Sequence, residues 1–259
     1  MSDPTDSREA LAEGSLISHL IELRDRLLRA VIAVAVLFVP CAIYSDRLFT
    51  LVAQPLISKM PEGTSMIATS LVSPFMAPLK LALLTAVFLA MPVVLYQAWA
   101  FVAPGLYRHE KRFAIPLVIS SIVLFYAGVA FAYFVVFPLM FAFLTSTAPI
   151  GVKVMTDISN YLDFVLLLFF AFGVAFEIPV ATVLLAATGM VKIETMRKNR
   201  GYVILGIFIV AAFLTPPDAL SQCFMAVPMY ILYEAGIVMS RVLLKRRLTD
   251  QQAEPSASS

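Results

Sequence analysis

Chemistry-bearing residues are scarce in this sequence. Its 259 residues include two cysteines, two histidines and one tryptophan, and only 14% are charged. Cys41 and Cys223 both fall in or beside apolar runs. Two such residues make no disulfide framework, and they lack metal-ligand spacing. His19 and His109 each stand alone near basic clusters, where a solvated surface role is expected. The chain has no P-loop, which excludes nucleotide hydrolysis of that type. It also lacks a Ser/His/Asp set, a Gly-x-Ser-x-Gly elbow and a His-Glu-x-x-His pair. The chain therefore carries no enzyme signature, and no cofactor or metal is expected. No half-to-half repeat is evident, which weakens the reading as an ordinary secondary transporter. The net charge of +2 says little alone, and no nucleic-acid partner is expected.

Apolar runs dominate what remains. Hydrophobic residues make up 61% of the chain, and the mean hydropathy is +0.90. Several runs exceed an ordinary core helix, and they are continuous rather than alternating. They suit membrane-spanning helices, not barrel strands. The expected fold is all-α, one polytopic membrane domain across residues 1–259 (a 1–27 N-terminal segment, a 28–240 transmembrane region and a 241–259 tail). Six spans are predicted at about 28–44, 75–101, 115–143, 161–187, 202–214 and 219–239. A loop is expected over 45–74, and disorder beyond Arg247. The polar residues 1–18 lead into an apolar run of a full span, which predicts a retained anchor rather than a cleaved leader.

The basic residues orient these spans. Four Lys or Arg fall in the N-terminal segment, three in the second-to-third loop, four in the fourth-to-fifth loop and four at the C-terminal end. The other side holds only Arg47, Lys59, Lys80 and Lys153. The positive-inside rule then places both termini in the cytoplasm, which requires an even number of spans. The fifth span is short: 13 residues give about 20 Å of helix against about 30 Å of hydrocarbon. Its hairpin either recruits flanking residues or leaves the bilayer locally thin.

The most informative stretch is residues 19–29, which mixes both charge signs directly against the first apolar run. As a helix it aligns Leu16, Leu20, Leu23 and Leu27 in one stripe. Glu22, Asp25, Arg26 and Arg29 lie three or four residues apart on another face, where opposite charges can pair. This pattern reads either as a membrane-surface anchor or as a docking surface in which Glu22 offers a carboxylate to a partner's cation. By itself it favours the anchor. Glu110 is the only acid in a loop with Arg108, Lys111 and Arg112, so two carboxylates share the cytoplasmic face amid cations. Such acids can receive a guanidinium in bidentate geometry, which discriminates Arg from Lys.

Other polar residues stand inside the spans. Glu177 lies deep in the fourth, beside Pro179. An ionisable group at that depth costs about 2.5 kcal/mol or more on insertion scales and is a functional candidate, with interhelical glue as the alternative. Gln97, near the end of the second span, can hydrogen-bond a neighbouring helix or a guest peptide. Tyr133 reads as interfacial or interhelical, and Glu234 as snorkelling to the cytoplasmic side or pairing with a nearby cation. Asp157 and Asp218 precede spans, where helix N-termini favour carboxylates. Pro78, Pro92, Pro138, Pro179 and Pro228 lie within spans and can kink them.

Several motifs occur together and in order: 18–24 (SHLIELR), Gln54-Pro55-Leu56, 103–107 (APGLY) with Glu110 and Arg112, Phe172-Gly173 with 176–179 (FEIP), and 214–218 (LTPPD). In this combination the chain resembles the TatC family, the multispan receptor subunits of the twin-arginine translocase. The resemblance implies six spans in a cupped bundle with both ends cytoplasmic, in the bacterial cytoplasmic (inner) membrane. It implies recognition of signal peptides bearing paired arginines, on cargo exported already folded. It implies the single-span partners TatA and TatB, self-association in a receptor complex, the lipid bilayer as surroundings and drive from the proton-motive force. Glu22 and Glu110 match the acids that bind the arginine pair, with Arg24 and Phe101 at associated positions. Glu177 matches a buried acid of the concave face and Gln97 a polar position near it. Pro55, Tyr133, Asp157 and Asp218 match positions implicated in function or assembly. Two rivals remain beside this reading, a proton-coupled solute transporter using Glu177 and a pure assembly scaffold.

Overall fold

A computed structural model of the chain describes residues 4–57, 67–106, 114–146, 157–215 and 218–253. Ten α-helices account for nearly all of these: α1 Pro4–Ile43, α2 Ser45–Ile57, α3 Ser73–Leu106, α4 Ala114–Phe131, α5 Phe137–Ser146, α6 Ile158–Ala175, α7 Ile178–Ala187, α8 Ile193–Lys198, α9 Arg200–Leu214 and α10 Ala219–Ala253. A π-helical turn, Ala132–Val136, joins α4 to α5. The strand-like pairing among the described residues is an isolated bridge between Ile67 and Asp157.

Among the described residues, five stretches are long and apolar enough to cross a membrane: Ile17–Ile43, Ser73–Phe101, Ile115–Phe143, Ile158–Ala187 and Ala219–Leu243. The helix at the expected fifth span, α9, is apolar but has 15 residues, about 22 Å of rise. An all-helical outcome follows from lipid physics, since every backbone donor and acceptor must be met within the segment itself.

Three expectations change in detail. The segment expected as a loop over 45–74 is helical over Ser45–Ile57. Val52 and Ala53 are buried there while Leu51 and Gln54 are exposed, so α2 is amphipathic, and Pro55 falls in its last turn. The tail expected to be disordered beyond Arg247 continues as helix to Ala253; residues 241–253 contain no Gly or Pro to stop it. Of the five span prolines, two interrupt the helical ladder. Pro179 follows a break at Phe176–Glu177 between α6 and α7, and Pro138 follows the π turn, whose Phe137 N–H bonds back to the Ala132 carbonyl. Pro228, like Pro40, sits inside a continuous helix.

The residues group into two compact units. One comprises Met1–Leu48 and Pro78–Val118, the other Phe49–Ala77 and Ile119–Ser259. In the first, Cys41, Ala82 and Ala86 form a small core with Val34, Leu37, Phe38, Ala42 and Leu48 around it. The second is held by close helix contacts, as expected where lipid removes the hydrophobic drive and packing must hold helices together. A Cβ at Gly128 would strike the Phe172 backbone, and one at Gly236 would strike Thr182 and Pro179. Aromatic rings fill the neighbouring space: Phe131 packs on Phe172 and Phe176, and Phe137 on Phe141, Tyr161 and Phe169. At the other end of α7, Ala186, Met196, Tyr233 and Ile237 form a cluster tying α7, α8 and α10, sealed by a 2.9 Å bond from the Tyr233 hydroxyl to the Met196 carbonyl.

Candidate functional site

The charged stretch expected to be a helix is one, continuous with the first span in α1. Its leucine stripe is not covered by protein: Leu20, Leu23 and Leu27 are all exposed, as suits a face turned to lipid. The charged face is internally paired. Arg26 donates from Nε (2.9 Å) and from a terminal nitrogen (2.5 Å) to one oxygen of Glu22, a turn earlier. Arg24 donates in the same way to one oxygen of its neighbour Asp25, at 3.0 and 2.8 Å. The i,i+4 pairing was legible from spacing; the adjacent Arg24–Asp25 pair was not. Ser18, Ile21, Glu22, Asp25, Arg26 and Arg29 line an open cavity of about 380 Å³ on this face.

A second helix reaches the same place. The ring of Phe101, near the end of α3, stacks on His19 with centroids 4.2 Å apart and planes 20° from parallel. His19 is exposed as expected, but it is engaged, because α3 delivers an aromatic partner that no local spacing announces. His19 and Glu22 are three residues apart and so lie on adjoining parts of one helical face. Gln97 is one turn before Phe101 on α3; its side-chain oxygen is buried and has no hydrogen bond among the described residues. Glu110 lies outside the described residues, in the segment that follows α3.

In the other unit, Glu177 occupies the break between α6 and α7. It is half-buried, both carboxyl oxygens are shielded from solvent, and neither has a hydrogen bond of standard geometry among the described residues. The Ser121 side chain lies close enough to interact with it electrostatically. Its backbone sits at the N-terminus of α7, but the side chain does not cap that helix. The carboxyl is thus held in the span with the Ser121 side chain beside it.

The remaining expected residues are fully engaged. The Tyr133 hydroxyl, on the π turn, donates to the Leu51 carbonyl at 3.2 Å. Four residues on from Leu51 stands Pro55, which has no N–H to offer that carbonyl, so Tyr133 supplies the donor that the proline lacks. The side chain of Pro55 lies outside the described residues. Tyr161 makes the parallel bond to Val52 at 2.8 Å. Asp157 caps α6 through the amides of Ser159 and Asn160 and also binds the amide and hydroxyl of Thr69 at 2.9 and 2.6 Å. These bonds hold its carboxyl at a pKa of about 2, well below the usual carboxylate value, the Thr69 bonds being the largest causes. Asp218 caps α10 by accepting from the Ser221 amide at 2.7 Å. Glu234, expected to snorkel or to pair with a cation, does the latter, taking Arg200 at 2.5 Å and the Tyr230 hydroxyl at 3.0 Å. No cluster of metal-ligating side chains occurs among the described residues.

Residues 18–228 match the family model described as Sec-independent protein translocase protein (TatC). The chain belongs to the TatC family. It is 55% identical over 243 residues to the Sec-independent protein translocase protein TatC of Azotobacter chroococcum mcd 1, covering 94% of this chain and 93% of that relative. It is 54% identical over 226 residues to the TatC of Escherichia coli (strain K12), covering 87% and 88%. Among solved structures, a crystal structure of the twin arginine translocase receptor TatC superposes with a TM-score of 0.79 at 36% identity, covering 86% of this chain and 98% of that one. As a TatC family member the chain is a translocase component and not an enzyme.

Proposed function

We propose that this chain is the receptor subunit of a twin-arginine translocation complex in a bacterial cytoplasmic membrane. Its charged α1 face takes the paired arginines of a signal peptide on folded cargo. Glu22 and Glu110 are the carboxylates of that clamp, with Arg24 and Phe101 as associated positions. The observation that carries this reading is the open, carboxylate-bearing cavity on α1 with the Phe101 ring stacked alongside, in a chain of this family. Guanidinium and carboxylate match in fork geometry, so such a site selects Arg over Lys. The apolar part of the signal then enters the membrane region, where Glu177 and Gln97 offer oxygens that have no hydrogen bond of standard geometry among the described residues. TatA- and TatB-type single-span partners, self-association of this chain and the proton-motive force complete transport. Six spans, with α9 as the short fifth and both termini cytoplasmic, accord with the distribution of Lys and Arg.

Replacing both Glu22 and Glu110 by Gln tests the assignment. The expected result is loss of site-specific photo-cross-linking to a twin-arginine signal peptide in a chain that still inserts and folds. Unchanged cross-linking would overturn it. Solute uptake by proteoliposomes containing this chain alone, unaffected by the same pair of substitutions, would favour the transporter reading instead.

A further inference from the structure

We infer that Arg26 is a resident competitor for the carboxylate that receives the signal's arginine, so that signal binding proceeds by exchange of one guanidinium for another. The inference rests on the proposed role of Glu22. In the chain by itself, Glu22 is already occupied by Arg26. The incumbent is a weak one. Both of its bonds go to the same oxygen of Glu22, so the pair lacks the two parallel bonds to two oxygens that make the fork arrangement strong. The carboxylate is also the more open partner, with its side chain 38% exposed against 19% for Arg26. An arginine arriving from outside can take both oxygens, and the cavity lined by Ser18, Ile21, Glu22, Asp25, Arg26 and Arg29 gives it room to do so.

The exchange has a functional consequence. A guanidinium that takes both oxygens of Glu22 must displace Arg26, so its apparent affinity is lowered by the cost of breaking that pair. A lysine-bearing sequence, which lacks the fork, gains less from the exchange, while an arginine signal gains both bonds. The same reasoning separates Arg26 from Arg29: both line the cavity, but Arg29 has no ion pair with Glu22.

The test is a binding titration of a fluorescein-labelled twin-arginine signal peptide against the full chain in lipid nanodiscs at physiological salt. The proteins are wild type, Glu22→Gln, Arg26→Gln, Arg26→Lys and Arg29→Gln. A half-exposed helical ion pair of this kind sets the scale, so Arg26→Gln is expected to tighten binding about two- to fivefold. Arg26→Lys, which keeps the charge but loses the fork, should tighten it by less, and Arg29→Gln should hardly change it. Unchanged or weakened binding in Arg26→Gln, with binding lost in Glu22→Gln, would refute the competitor and leave the receptor reading intact. Equal tightening in Arg26→Gln and Arg29→Gln would refute it too, because bulk charge alone would then account for the effect. Binding that survives Glu22→Gln undiminished would instead remove the role of Glu22 on which the inference rests.

Discussion

Tyr133→Phe removes one oxygen and nothing else, and its cost is set by a proline 78 residues away. The lost bond runs to the Leu51 carbonyl, whose usual helical donor would be residue 55. Because residue 55 is proline, the substitution leaves that carbonyl without a donor. An orphaned acceptor in a buried setting costs about 1–3 kcal/mol, but interhelical hydrogen bonds in membrane proteins average only about 0.6 kcal/mol, with a ceiling near 1.7. The Tyr133 bond is long at 3.2 Å and Leu51 is exposed, so about 0.5–1 kcal/mol is expected.

The sharper expectation concerns coupling. In a Pro55→Ala chain the residue 55 amide can close the ordinary helical bond to Leu51, and Tyr133→Phe should then cost close to nothing. A double-mutant cycle subtracts the helix-propensity gain of the alanine itself. Tyr161→Phe serves as the control. Its 2.8 Å bond goes to Val52, whose helical donor Leu56 has an N–H, so its cost should be the same in both backgrounds. Equilibrium unfolding in mixed micelles reads all of these stabilities. An equal penalty for Tyr133→Phe with and without Pro55 would show that the hydroxyl does not substitute for the missing amide.

The other expectations follow from equally local geometry. Asp157 has a folded pKa of about 2 against an ordinary value of 3.8. A depressed carboxylate stabilises the fold above its unfolded pKa, so the Thr69–Asp157 staple should be fully present above about pH 4 and lost as pH falls through about 2. Hydrogen exchange at the Thr69 and Ser159 amides should quicken across that window, and a flat profile would refute the staple. Gly236→Ala drives a methyl into Thr182 and Pro179 and should destabilise by about 1–3 kcal/mol. Gly206→Ala, with nothing within 4 Å, should instead stabilise α9 by up to about 1 kcal/mol; thermal unfolding that ranked the two alike would contradict the close α7–α10 contact. Glu177→Gln should leave unfolding stability nearly unchanged, because the carboxyl oxygens make no hydrogen bond of standard geometry among the described residues. It should reduce cross-linking to the signal peptide or the single-span partners, and a large stability loss with normal cross-linking would make Glu177 structural glue.

Spacing alone revealed what is periodic. The α1 stripe and its i,i+4 charges, the apolar runs and the capping acids Asp157 and Asp218 each depend on neighbours within a turn or two, which a sequence displays directly. What stayed hidden depends on distant partners. His19 and Phe101 are 82 residues apart, and Thr69 and Asp157 are 88. Nothing in either local pattern requires those meetings. Amphipathic α2 was obscured for a different reason: Pro55 reads as a loop marker, yet its defect is repaired from elsewhere by Tyr133. The family motifs in 18–24, 103–107 and 214–218 carried more than the periodicity did, because their combination is specific where any single run of leucines is not.

The hydrogen-bond inventory also separates two kinds of polar residue that sequence treats alike. Lipid makes an unmet polar group expensive, so residues holding the fold together should have their polar atoms engaged within it. Asp157, Asp218, Glu234, Tyr133 and Tyr161 all meet that condition, and substituting them should act through stability. Glu177 and the Gln97 oxygen do not meet it by standard geometry among the described residues, which is consistent with the contact role proposed for them. Glu22 falls between the two groups. It is engaged, but at a half-exposed position and by a partner holding a single oxygen, which is the condition under which a ligand can be exchanged. Under the proposed receptor function, a signal released after each transport cycle calls for a carboxylate of that intermediate kind. A fully free Glu22 would bind any cation, and a deeply locked one would bind none.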